Sequence, residues 1–154
     1  LPISMDAARC ADCYGLFPGH AVQQSDARQA YTQAWLRGTE TWVRLPRDQW
    51  PKAWIDSDMH NPVVPLRLAL YGHPDAGGYW EKKCYGHLEE CGFVSFEGWP
   101  GIFYSEEFDA MLMVYVDDFK ASSSPENLVK LWERIRGVCN SGRGHITLRE
   151  LSGL

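Results

Sequence analysis

Two adjacent aspartates, Asp117 and Asp118, follow directly on the apolar run MLMVYV of residues 111–116. At the end of a buried strand, each carboxylate raises the pKa of the other and lowers stability unless something offsets the charge. A divalent cation would offset it, and so would water at an ordinary polar turn, where Asp is a favoured residue. A tight hairpin turn can bring both side chains to one rim. The pair by itself leaves a metal site and a polar turn open.

A third carboxylate, Asp26, lies in the segment QQSDARQAY, where a predicted strand meets a predicted helix. Asp26 can cap that helix while Gln29, three residues later, completes a capping box. It can equally serve as a metal ligand, and the spacing does not decide between the two.

The five cysteines form neither a disulfide framework nor a complete zinc motif. Cys10 and Cys13 form a C-x-x-C, but Cys84 and Cys91 are seven residues apart and Cys139 stands alone, so a second ligand pair at zinc spacing is missing. We therefore expect Cys10 and Cys13 to pack into the core from one face of a helix at residues 5–16. A small zinc-binding interaction module around them is the less favoured alternative.

The net charge of −5 argues against a protein that binds nucleic acid by broad electrostatics. The charge is uneven, because residues 84–119 hold eight acidic residues and no Lys or Arg, whereas residues 20–52 and 121–154 each hold five basic and three acidic residues. An acidic middle between basic arms suits a metal site between phosphate contacts. Solvated faces of an acidic domain would give the same pattern.

The order of predicted elements indicates one α+β domain, with helices packed on an antiparallel sheet. Six of the seven tryptophans are expected in core and strand packing rather than in a base-stacking surface (Trp35, Trp42, Trp50, Trp54, Trp80 and Trp99). No apolar run is long enough to span a membrane. Helices are predicted in segments 5–16, 27–38, 74–93 and 124–140, and strands in segments 17–26, 41–46, 63–72, 101–122 (a strand and a hairpin turning at Asp117-Asp118) and 144–151.

Three segments in order, SDARQAYTQAWLRGT, PLRLALYGHPDAGGYWEKKC and LMVYVDDF, resemble the reverse transcriptase domain of copia-like long-terminal-repeat retrotransposons. That family shows an Asp with an aromatic five residues later, then an ALYGLKQAPRAW-like segment, and then Tyr-Val-Asp-Asp on a hairpin. The counterparts here are Asp26, Tyr31, residues 69–80 and residues 115–118. The resemblance covers nearly the whole chain.

The resemblance implies a polymerase palm with partial fingers, whose catalytic hairpin carries the YVDD of residues 115–118. It implies an RNA-directed DNA polymerase that acts on an RNA template, a DNA primer and deoxynucleoside triphosphates. Residues 1–154 are then expected to be one palm fragment of a longer Pol polyprotein. The thumb, integrase and RNase H would lie elsewhere in that polyprotein.

By the same resemblance, Asp26 and Asp117 are shared ligands of two magnesium ions, with manganese as a substitute, and Asp118 completes the catalytic set. The main-chain carbonyl of Ala27 is an additional ligand by the same analogy. Two such ions would activate the primer 3′-hydroxyl and steady the leaving oxygens of the triphosphate.

Three further residues take nucleotide or primer roles by analogy. Tyr31 lies where the family places an aromatic beneath the incoming sugar, although it could be a core aromatic of a short helix. Tyr115 would face the primer terminus or template, or is simply a strand aromatic. Asp75 replaces a Gln that lies near the nucleotide, and Gly77 and Gly78 replace Pro-Arg, so the nucleotide contact departs from the family there.

The expected location is intracellular, in a cytoplasmic retrotransposon particle or the nucleus, with no membrane partner. The alternative function is a catalytically inactive, retroelement-derived fragment with a structural or nucleic-acid-binding role.

Overall fold

In the computed structural model, residues 4–137, 146–149 and 152–153 are described, and they form an antiparallel sheet packed by α-helices. The predicted α+β class is therefore confirmed. None of the helices in this part of the chain combines the length and apolar character that a membrane span requires. The helices are α1 (Met5–Gly15), α2 (Lys52–Asp56), α3 (Ala76–Glu90) and α4 (Pro125–Arg136), and the strands are β1 (Ala21–Asp26), β2 (Trp42–Arg44), β3 (Val63–Pro65), β4 (Val94–Phe96), β5 (Trp99–Ser105), β6 (Ala110–Tyr115), β7 (Asp118–Ser123) and β8 (Ser152–Gly153).

The main sheet has the strand order β4-β5-β6-β7-β1-β8, and every neighbouring pair is antiparallel. Strands β4 to β7 are consecutive in the chain and form a meander. Strand β1 comes from the other end of the chain and pairs with β7, so the sheet joins two distant parts of the sequence. Strands β2 and β3 form a separate two-stranded sheet.

Helices cover both faces of the main sheet. Neighbouring residues of a strand face opposite sides, and Ala121 of β7 belongs to the core that contains the buried residues of α3 and α4. The next residue, Ser122, is also buried, and its hydroxyl donates to the carbonyl of Ala11 in α1 at 2.7 Å. Helix α1 therefore lies on the face opposite to α3 and α4.

The helix signals that depend only on nearby residues predict the structure well. Ser4 caps α1 by accepting from the amide of Ala7 at 3.1 Å, and Ser124 caps α4 by accepting from the amide of Asn127 at 3.3 Å. Pro125 occupies the first position of α4, as predicted. The buried side chains of α4 recur at helical spacing and are Leu128, Leu131, Trp132 and Ile135.

Two element predictions are wrong in extent, and a third is described only in part. The helix predicted at 27–38 is only one 3₁₀ turn, Ala30–Gln33, because Trp35 forms a β-bridge with Leu68 and draws the chain out of the helix. The strand predicted at 63–72 ends at Pro65. In the tail, residues 146–149 hold only an isolated bridge between Leu148 and Ala27, and the rest of segment 144–151 lies outside the described residues.

The core and strand packing expected for the tryptophans is found in part, since Trp42 and Trp99 lie in strands, whereas the expected burial of the C-x-x-C pair is wrong. Trp80 is buried, Trp50 and Trp54 are half-buried, and Trp35, Trp42 and Trp99 are exposed. Cys13 is exposed and Cys10 is half-buried, because the face of α1 that meets the sheet is formed by Ala7 and Ala11 instead.

Candidate functional site

The register of β1, β7 and β6 brings two of the sequence motifs together. Asp26, the last residue of β1, pairs with Asp118, the first residue of β7. Asp118 also pairs with Tyr115 across the β6–β7 hairpin, so the two-residue loop consists of Val116 and Asp117. The turn predicted at Asp117-Asp118 is therefore wrong by one residue. All three carboxylates nevertheless lie at one end of the sheet.

The loop is held in a backbone conformation that its sequence does not favour. Two-residue hairpin loops need positive φ, which Gly and Asn adopt most easily, yet Val116 has a φ of 54°. Two donors fix the loop: the indole nitrogen of Trp80 donates to the carbonyl of Val116 at 2.6 Å, and the amide of Ala27 donates to the carbonyl of Asp117 at 2.6 Å. Helix α3 and the end of β1 thus impose the turn, as strained positions require.

The capping interpretation of Asp26 is contradicted. Asp26 ends a strand, and the next helical turn begins only at Ala30, with Gln29 in the N-cap position. Gln29 has a φ of 48° and makes no side-chain capping bond. No capping box forms, because three residues separate the end of β1 from the 3₁₀ turn and Asp26 is therefore not its N-cap.

The electrostatics of this end of the sheet are those of crowded like charges. The pKa of Asp118 is raised, first by burial, then by the charges of Asp117 and Asp26, and finally by a hydrogen bond with Asp26. The negative charges of Asp117 and Asp26 therefore act on Asp118 at this end of the sheet.

One basic residue that the sequence did not single out lies beside this group. The guanidinium of Arg149 is 3.8 Å from Oδ2 of Asp26, and its amide donates to the carbonyl of Asp26 at 2.7 Å. Both side chains are largely exposed, so water screens the ion pair and it compensates little of the negative charge. No local pattern around Arg149 signals this contact, because it depends on the chain returning to β1 after α4.

The chemistry of the donor set fits a divalent cation of the magnesium class. The three side chains offer hard carboxylate oxygens, and their mutual repulsion is the charge that a cation would neutralise. Within the described residues, no group of three or more His, Cys, Asp or Glu side chains could hold a metal ion, so the three carboxylates do not form a complete ligand set by themselves. A magnesium site that keeps waters and takes phosphate oxygens from a substrate needs fewer protein ligands.

Two tyrosines stack beside the carboxylates. Tyr31, on the 3₁₀ turn, is half-buried against the core, and its ring centroid is 4.3 Å from that of Tyr71. The pKa of Tyr71 is raised, first by burial and then by the charge of Asp117. A Cβ on Gly77 would lie 3.9 Å from the Tyr31 hydroxyl, an ordinary contact distance, so Tyr31 lies next to the start of α3, about one turn before Trp80. Sequence reasoning missed Tyr71, although the motif ALYG contains it.

Of the other candidate residues, two lie beside the carboxylates and one shows no contact with them. The backbone of Ala27 adjoins Asp117 through the amide contact already described, and Tyr115 is an exposed residue at the end of β6. Asp75 precedes α3 without capping it, and its side chain is exposed. Among the described residues, no hydrogen bond or ion pair joins Asp75 to the three carboxylates. Ala27 and Tyr115 thus lie by the site, and no contact connects Asp75 with it.

Comparison of the chain with protein-family models, curated proteins and solved structures finds no match. The functional argument therefore depends on the geometry of the site together with the motifs in the sequence.

Proposed function

We propose that this chain is the reverse transcriptase domain of a retrotransposon polyprotein, an RNA-directed DNA polymerase of the palm type. The observation that carries the proposal is the pairing of Asp26 with Asp118 beside Asp117. Two motifs about ninety residues apart in the sequence are thereby joined at one sheet end, in the combination that the family resemblance requires.

The carboxylates of Asp26, Asp117 and Asp118 are the residues that would hold the two magnesium ions, with the carbonyl of Ala27 as an additional ligand. When bound, the ions supply the Lewis acidity that activates the primer 3′-hydroxyl and steadies the leaving oxygens of the triphosphate. The chain's own contribution is to fix the hairpin loop through Trp80 and Ala27, so that the carboxylates keep their positions without reorganising.

The remaining roles are those that the family resemblance implies. Tyr31, whose ring contacts that of Tyr71, is assigned to the sugar of the incoming nucleotide. Tyr115, exposed and paired with Asp118, is assigned to the primer terminus or template. Asp75 receives no role. The proposed partners are the RNA template, the DNA primer, deoxynucleoside triphosphates and the remainder of the polyprotein, in an intracellular particle or the nucleus.

Primer extension on an RNA template tests the proposal. We expect DNA synthesis that depends on magnesium, and we expect Asp117→Asn to lower it on the order of a thousandfold, because metal-held charge supplies several kcal/mol of transition-state stabilisation. Glu106→Gln is the matched control, since Glu106 is exposed in the turn between β5 and β6, at the end of β6 opposite to the carboxylates.

Synthesis that survives Asp117→Asn at the wild-type rate would contradict the assigned site. A wild-type chain that makes no product, either alone or joined to the rest of its polyprotein, would favour the inactive, retroelement-derived fragment instead.

A further inference from the structure

Tyr71 occupies the tip of a tight turn whose shape depends on the following glycine. The amide of His73 donates to the carbonyl of Leu70 at 3.0 Å and closes a four-residue turn with Tyr71 and Gly72 at its centre. Gly72 has a φ of 93°, the positive value that the third position of a type II turn requires. The turn therefore presents the Tyr71 side chain from a fixed backbone.

This turn is tied to the segment that carries Tyr31. The amide of Ala69 donates to the carbonyl of Ala34 at 2.9 Å, and the amide of Leu36 donates to the carbonyl of Arg67 at 2.8 Å. On the other side, the hydroxyl of Thr41 lies 3.1 Å from Nε2 of His73. The segment that carries Tyr31 is thus hydrogen-bonded, through residues 34 and 36, to the segment that carries Tyr71.

The backbone around Tyr31 is held by a hydrogen bond from α3, whereas the Tyr31 ring is held by packing against the core and against Tyr71. The ammonium group of Lys83 donates to the carbonyl of Gln33 at 2.5 Å, which anchors the end of the 3₁₀ turn. The ring itself is packed against the core on one side and meets Tyr71 with an interplanar angle of 32°. Tyr71 is 53% exposed, so it forms the solvent side of the pair.

We propose that Tyr71 is a positioning residue for sugar selection: its ring holds that of Tyr31 in place, and the discrimination between deoxyribose and ribose depends on both. The inference rests on the proposed function, because it assigns Tyr31 to the sugar of a nucleoside triphosphate. An aromatic ring excludes a 2′-hydroxyl only if it cannot move aside. Contact with Tyr71 restricts that movement on the side that water would otherwise occupy.

Binding of dATP and ATP to the chain in magnesium, followed by tryptophan fluorescence, tests the inference without requiring synthesis. We expect the dissociation constant of ATP divided by that of dATP to fall on the order of tenfold in Tyr71→Ala. One apolar contact discriminates between ligands on that scale. Tyr71→Phe should keep the wild-type ratio, because stacking needs the ring and not the hydroxyl. Phe17→Ala is the matched control, because Phe17 is 56% exposed and lies outside the site.

The outcomes separate the two proposals. An unchanged ratio in Tyr71→Ala overturns the inference, and so does a Tyr71→Phe variant that loses as much selectivity as Tyr71→Ala. Failure of the wild type to prefer dATP, or to bind either nucleotide, also overturns it. A chain that shows the expected ratios but makes no DNA supports the inference while the proposed polymerase activity fails.

Discussion

The two ends of strand β6 carry carboxylates in opposite electrostatic settings. Just before the strand, Asp109 accepts from the hydroxyl of Tyr14 at 2.6 Å and from that of Tyr104 at 2.8 Å. Its other oxygen is 3.9 Å from Nε2 of His20. These partners lower the pKa of Asp109, and the hydrogen bond from Tyr14 is the largest cause.

Just after the strand, the setting is reversed. Burial and the charges of Asp117 and Asp26 raise the pKa of Asp118, and the only basic group described beside these carboxylates is the screened guanidinium of Arg149. Two tyrosine hydroxyls donate to Asp109 at one end of β6, whereas no described side chain of that kind donates to Asp118 at the other end. The difference indicates that the first is a structural tie, and the second is the end of the strand at which we propose magnesium binding.

The largest expected effect is stabilisation by magnesium. At a concentration about 100 times its dissociation constant, a ligand that binds only the folded state adds about 2.7 kcal/mol to the free energy of unfolding. Thermal unfolding with and without magnesium should show this increase in the free energy of unfolding for the wild type and for Asp109→Asn. Asp117→Asn should not show it. Equal gains in all three proteins would show that the two ends of β6 do not differ in metal binding.

A smaller effect on stability is expected at Asp109, the carboxylate that accepts hydrogen bonds from two tyrosines. Asp109→Asn replaces a charged acceptor by a neutral one, and it should lower the free energy of unfolding by about 1 kcal/mol, after discounting for the exposure of the side chain. Asn tolerates the φ of 43° found there, so backbone strain does not confuse the result.

The pH dependence of that loss has a definite sign. Because the pKa of Asp109 is lowered on folding, its contribution is present above the ordinary Asp pKa and disappears as the pH falls through the lowered value. Chemical denaturation of both proteins at neutral and strongly acidic pH should show the difference at neutral pH alone. A difference that persists in acid would mean that the asparagine disturbs packing.

The smallest effect on the free energy of unfolding, of the opposite sign, is expected at Asp118, which lies among three carboxylates. Without divalent cations, Asp118→Asn should raise the free energy of unfolding at neutral pH by less than about 1 kcal/mol, since water screens part of the repulsion. The raised pKa of Asp118 means that the wild type regains this stability as the pH falls and the carboxyl is protonated. A destabilised Asp118→Asn protein at neutral pH would contradict the like-charge description.

The sequence predicted those parts of the fold that depend on neighbouring residues. Ser124, Pro125 and the apolar spacing that follows define α4 locally, and the structure has that helix. The helix predicted around Tyr31 failed because a distant partner, Leu68, pairs with Trp35. Strand ends and short helical turns are decided by such partners, which a local pattern does not contain.

The candidate site shows the same division. From the residues alone, Asp26 could cap a helix or bind a metal, and only the register of β1 against β7 removes the cap. Arg149 meets Asp26 through a tertiary contact that no local signal predicts, whereas Tyr71 lies in the motif ALYG and only the fold shows its contact with Tyr31. The hairpin was expected one residue too late, because Val116 is not a residue that favours positive φ.

The strand order has a consequence for how the molecule assembles. Strands β5, β6 and β7 are joined by short connections, so their pairing closes small loops and is expected early in folding. The pairing of β1 with β7 closes a loop of about ninety residues, which costs more entropy and is expected late. Asp117 and Asp118 are then in place before Asp26 arrives, and the repulsion among the three carboxylates opposes only the final docking step. A divalent cation present during refolding would therefore act on the last stage of sheet formation.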